Sequence, residues 1–143
     1  MKYLKHIVIT LLLFSTAAFV AHADEETQLE KLSNQIKTIT YKLDRGEFDQ
    51  DDLARWTKIA IKLSSEASVC IADNEAKIKK LQESIDSLGE EVKDEAAEVT
   101  KQRNTLLKEK GQLDKALAKC NLYNQTGEKA SDHLSLAEKS YFK

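Results

Sequence analysis

Between Leu29 and Tyr141 the apolar residues return at steps of three and four, and no proline interrupts them. That period belongs to a helix with one apolar stripe; a half-buried strand would alternate every second residue. Proline would remove a backbone donor and clash with the preceding turn, so its absence permits uninterrupted helices. The chain is also rich in Ala, Glu, Lys and Leu, the composition of long helices and coiled coils. The class these features predict is all-α.

Three helices follow from the breaks in the pattern. The first spans 24–46, with a seam of Leu29, Leu32, Ile36, Ile39 and Leu43. Thr27 and Glu30 fit a capping box at its start, and Gly46 can take the left-handed conformation that ends a helix. Arg45–Gln50 is a short turn, in which Phe48 is placed to cover the bottom of a bundle and Asp49 or Asp51 to cap the next helix. The second helix spans 51–88. Its seam runs Leu53, Trp56, Ala60, Leu63, Ala67, Ile71, Asn74, Ile78, Leu81, Ile85 and Leu88. The steps of four at Leu63–Ala67–Ile71 are a stutter, where a supercoil relaxes. Ile59, Ala60 and Ile61 widen the apolar face before it, which suits contact with two neighbours. Gly89 and a charged tip follow. The third helix spans 95–141, with Val99, Leu106, Leu113, Cys120, Gly127, Leu134 and Tyr141 at seven-residue intervals. Its partner row is Gln102, Glu109, Ala116, Tyr123, Ala130 and Ala137, with Leu107 and Leu117 alongside. Gly111 weakens this helix locally, and the poor helix formers Asn121, Asn124, Thr126 and Gly127 leave two readings open, a continuous helix or a kink.

Residues 1–23 are read separately. Lys2 and Lys5 precede an apolar run from Ile7 to Val20, and Ala21-His22-Ala23 offers a small-x-small cleavage site. That is the pattern of a secretory signal peptide, and the run is short for a membrane span of roughly 20 residues. Without Lys2 and Lys5, 20 basic side chains face 24 acidic ones, with both signs mixed along the chain. No basic patch with interleaved aromatics appears, so nucleic acid is not an expected partner. No later stretch is apolar enough to span a membrane once the signal is removed.

The only two cysteines, Cys70 and Cys120, sit far apart in sequence. In an exported chain a pair favours one intrachain disulfide; two buried thiols or a bond between chains are the alternatives. If the cysteines pair, antiparallel neighbours on helices two and three have numbers summing to about 190. The architecture is then an antiparallel long helical hairpin, a coiled coil, with the shorter N-terminal helix packed on its base. Beyond the cysteines a two-helix arm projects. Its seam residues Ile78, Leu81, Ile85, Leu106 and Leu113 either bind another chain or cover one another. Asn74, facing the seam, is placed to fix register or oligomeric state.

Chemistry is sparse. His133 is the one histidine after residue 23, and Asp132 and Ser135 fall on other faces of its helix, so no triad forms. There is no glycine-rich phosphate loop and no His/Cys metal spacing. Neither catalytic residue, metal nor cofactor is expected. Asn124-Gln125-Thr126 matches a glycosylation tripeptide that is common by chance. Trp56 reads as a core anchor.

Three stretches add a resemblance: Cys70-Ile71-Ala72-Asp73-Asn74-Glu75-Ala76, then Leu88-Gly89-Glu90, then Ala97-Glu98-Val99-Thr100-Lys101-Gln102-Arg103. With Leu113–Cys120 as the second-cysteine segment, the chain resembles, over most of Leu29–Leu136, a periplasmic coiled-coil region. That region lies at the N terminus of some large bacterial channels of the MscS-type mechanosensitive family. The resemblance implies a periplasmic role in assembly, sensing or gating support. No pore helices are present in this sequence, so conduction is not implied. The expected function is a nonenzymatic periplasmic interaction or sensor domain, with a free-standing adaptor or chaperone-like protein as the alternative. A protein partner in the cell envelope, or self-association, is the expected interaction.

Overall fold

A computed structural model describes residues 28–90 and 96–143. The signal-peptide reading, the Thr27 cap and the 91–95 tip lie outside the described residues. Within them the chain forms α1 (28–44), α2 (Gln50–Glu90) and α3 (Ala96–Tyr141), with no strand. At ~1.5 Å per residue, the 41 residues of α2 and 46 of α3 make a hairpin that α1 follows for less than half its length.

Local chemistry fixes the first turn. Gly46 has φ 66°. The Glu47 amide donates to the Lys42 carbonyl at 3.0 Å and the Gly46 amide to the Leu43 carbonyl at 3.1 Å. This is the paired bonding that closes a helix through a left-handed residue. Three residues later Asp49 caps α2: the Asp52 amide donates to Asp49 Oδ1 at 2.7 Å, and the Asp49 amide returns the bond to Asp52 Oδ2 at 3.3 Å. The two carboxylates satisfy backbone donors reciprocally, as in a capping box. Asp49 rather than Asp51 is therefore the cap. Phe48, between the two motifs, packs edge-on to Trp56 at 6.5 Å and against Tyr141 at 6.3 Å, closing the bottom of the bundle.

The core lies where three helices meet. Leu29, Leu32, Ile36, Ile39 and Leu43 of α1 are all buried against Leu53, Trp56, Ala60, Leu63 and Ala67 of α2 and Tyr123, Ala130 and Leu134 of α3. α1 is tied to both neighbours. Gln28 Nε2 donates to Glu66 Oε1 at 3.0 Å, and His133 Nε2 lies 3.6 Å from Asp44 Oδ1. Cys70 and Cys120 are joined within the chain, with 5.9 Å between their Cα atoms. Ser68 Oγ, 3.5 Å from Asn124 Oδ1, and the Phe48–Tyr141 contact continue the same register.

The structure moves several inward positions by one residue. Cys70, not Ile71, follows Ala67 into the interface, and Ile71 is only half-buried. The steps of four therefore fall at Cys70–Asn74–Ile78. In α3, Leu117 turns inward while Ala116 is exposed, so the steps of four there are Glu109–Leu113–Leu117. Only α2 changes phase at this height: in α3 Leu113, Cys120 and Gly127 keep their seven-residue spacing, and Leu117 takes the inward place of Ala116 opposite the stutter of α2. Ile61 points to solvent, so the widened face consists of Ile59 and Ala60 alone; Leu107 and Tyr141 are also exposed. α3 runs unbroken through Asn121–Gly127. Packing overrides propensity at that point. A Cβ on Gly127 would strike the Ser64 hydroxyl and lie 2.9 Å from the Ser64 nitrogen and 3.1 Å from the Ala60 carbonyl oxygen. Gly127 is thus where α2 and α3 approach most tightly among the described glycines.

Candidate functional site

The three-helix base ends at the disulfide, and the arm begins there. Cys70 and Cys120 are both buried, with Asn74 one helical turn beyond, itself only 1% exposed. Asn74 Nδ2 donates to the Cys70 carbonyl at 2.8 Å and faces both sulfurs, at 3.6 Å from Cys70 Sγ and 3.7 Å from Cys120 Sγ. The carbonyl contact fixes the amide orientation, because a flipped amide would oppose two oxygens. Asn74 Oδ1 is buried without a hydrogen-bond partner. A buried unpaired acceptor is destabilising. Asn74 thus sets a polar group on the seam at the height where α2 changes phase. The spacing pattern places Asn74 on the seam; the neighbouring sulfurs and the unpaired oxygen emerge only from the three-dimensional packing.

Past Asn74 the seam changes character. Ile78, Leu81, Leu106 and Leu113 are half-buried, whereas Ile85 is 3% exposed and belongs to the internal contact between the helices. Of the five seam residues singled out for partner binding, four present accessible apolar surface and Ile85 does not. Leu117 joins the four, in place of the exposed Ala116. Beside this stripe runs an open groove of about 510 Å³, floored by Ile78 and Leu117 and edged by Glu75, Lys79, Glu83, Lys110 and Asp114. Lys110 Nζ lies 3.6 Å from Asp114 Oδ2, one turn apart on the same helix. The groove edge residues sit on no seam position, so heptad spacing did not mark them; only the pairing of the helices brings them together.

His133 Nε2 lies 3.6 Å from Asp44 Oδ1 across the base. Among the described residues no group of three His, Cys, Asp or Glu side chains is arranged to hold a metal ion, and no helix is long and apolar enough to cross a membrane. Asn124 of the glycosylation tripeptide sits mid-helix, its Nδ2 donating to Glu128 Oε1 at 2.9 Å. The internal disulfide is compatible with an oxidising compartment. No family model, curated protein or solved structure matches the chain.

Proposed function

We propose that this chain is a nonenzymatic, exported helical domain that works by binding another protein through its arm. One observation carries the reading. The arm leaves Ile78, Leu81, Leu106 and Leu113 half-covered beside an open groove, while the same heptad pattern in the base is sealed. An apolar stripe rimmed by charges of both signs suits a helix of a partner laid along the hairpin. The base holds the arm, and the disulfide limits splaying where α1 stops supporting it. The resemblance of Cys70–Ala76, Leu88–Glu90 and Ala97–Arg103 to the N-terminal region of MscS-type channels makes a periplasmic assembly or sensing role beside such a channel the first instance to test. A free-standing adaptor would use the same surface.

Charge on the stripe provides the test. Leu81→Glu with Leu113→Glu is expected to abolish cross-linking of the arm to its envelope partner, identified by mass spectrometry, while the far-ultraviolet circular dichroism and the oxidised monomer persist. Unfolding of the doubly substituted protein would show that the stripe is internal core and would remove the basis for the proposal.

A further inference from the structure

A second groove lies at the opposite end of the molecule from the arm, between α1 and α3. It has a volume of about 390 Å³ and is lined by Lys37, Thr40, Thr126, Lys129 and His133 above a floor that includes the buried Ile36. Its charge is one-sided: no carboxylate lines it, although acidic residues outnumber basic ones in the whole chain. Those cations are weakly compensated. Lys129 has no ion-pair partner among the described residues, and Lys37 Nζ meets only a neutral amide oxygen, Asn34 Oδ1, at 3.4 Å. His133 Nε2 lies 3.6 Å from Asp44 Oδ1, a carboxylate outside the groove lining.

From this arrangement we propose that the α1–α3 groove binds a phosphate-bearing anion. Two ammonium groups each bring several donors and act as mobile point charges, which suits a phosphate with its three or four acceptor oxygens. Thr40 adds a hydroxyl. Thr126 contributes shape rather than a donor, since its hydroxyl hydrogen is committed to the Leu122 carbonyl at 2.8 Å. The groove is larger than inorganic phosphate, and its size falls in the range of small-molecule clefts. The floor at Ile36 suits an apolar portion of the ligand. Because Lys37 and Lys129 are exposed, binding is screened by salt. The proposal is independent of the arm, which shares none of these residues.

Titration of the purified protein with inorganic phosphate at constant ionic strength, followed by amide chemical shifts, tests the site. Saturable shifts confined to Lys37, Thr40, Thr126 and Lys129 are expected. Lys37→Gln with Lys129→Gln should weaken binding at least fivefold; Lys108→Gln, on the exposed face of the arm, should leave it unchanged. Sedimentation with vesicles of phosphatidylglycerol or of phosphatidylcholine then separates the sources. Retention on the anionic vesicles that the double substitution abolishes indicates a lipid headgroup; saturable phosphate binding without retention indicates a soluble phosphate compound. The proposal is overturned if neither phosphate nor anionic vesicles bind. It is equally overturned if what binds is insensitive to the double substitution.

Discussion

The base and the arm are written in the same heptad language and fold to different degrees of burial. In the base, three helices surround each inward residue, and Leu63, Ala60, Ala67 and Leu134 are at or near zero exposure. In the arm two helices share one stripe, and among the described residues the buried side chains beyond the disulfide are Asn74 and Ile85. Helix length does not explain the difference, since α2 and α3 run through both regions without a break. The number of neighbours does. A two-helix seam can hide only the line of direct contact, and residues one position off that line stay half-wet. The contrast separates the accessible apolar stripe, left where α1 is absent, from the sealed core where α1 is present.

The disulfide is the largest lever on this comparison, because it closes the arm into a loop with a sequence separation of 50 residues. The chain-entropy relation for such a loop gives about 4 kcal/mol. Cys70→Ser with Cys120→Ser is expected to lower the unfolding free energy by about 3–4 kcal/mol in denaturant melts. The loss should also be uneven. Amides near Leu106 and Leu113 should exchange hydrogen far faster than in the oxidised protein, while those near Leu63 and Leu134 keep most of their protection. Equal loss at both ends would show that base and arm are one cooperative unit, and the distinction drawn above would dissolve.

Truncation within each region gives the next largest effect. Leu63→Ala removes a fully buried side chain in a closed core and should cost about 3 kcal/mol. Leu81→Ala removes a half-buried one that water already reaches, and about 1 kcal/mol is expected. Paired denaturation curves measure the ratio. Equal costs would mean that Leu81 is packed as tightly as the base, leaving the arm no surplus surface for a partner.

Much of this was legible in the sequence because periodicity reports directly on which face is buried. The α1 seam is buried residue for residue, from Leu29 to Leu43, and the Gly46 turn has the bonding its glycine implied. Periodicity failed where it was asked to place single residues at the junction. Ile71 and Cys70 are adjacent and both apolar, so the pattern could not say which turns inward; the same holds for Ala116 and Leu117. Tertiary contact decides these cases. Propensity leaves Asn121–Gly127 open between a continuous helix and a kink, and the structure has the continuous helix. Gly127 is there for close approach, a property of the partner helix that local sequence does not carry. The two grooves were invisible for the same reason, each being made by side chains from two helices.

The two glycines of α3 sharpen the comparison at its smallest scale. In isolation each glycine weakens a helix by about 1 kcal/mol relative to alanine. Gly111, in the arm, has nothing within 4 Å of where a Cβ would stand. Gly111→Ala is therefore expected to stabilise the protein by about 0.5–1 kcal/mol. Gly127, in the base, faces the Ser64 nitrogen at 2.9 Å and the Ala60 carbonyl oxygen at 3.1 Å from the same position. A methyl group there pushes on backbone, which rotamer changes cannot relieve. Overpacking of this kind costs about 1–3 kcal/mol, so Gly127→Ala should be destabilising by about 1 kcal/mol after the propensity gain. Ser64→Ala in the same chain removes the hydroxyl clash but leaves both backbone contacts, so it should restore only part of the loss. Thermal melts of the three proteins decide the matter. If Gly127→Ala stabilises as Gly111→Ala does, the helices of the base have room to move apart, and the tight approach at Ser64 is not what holds α3 straight.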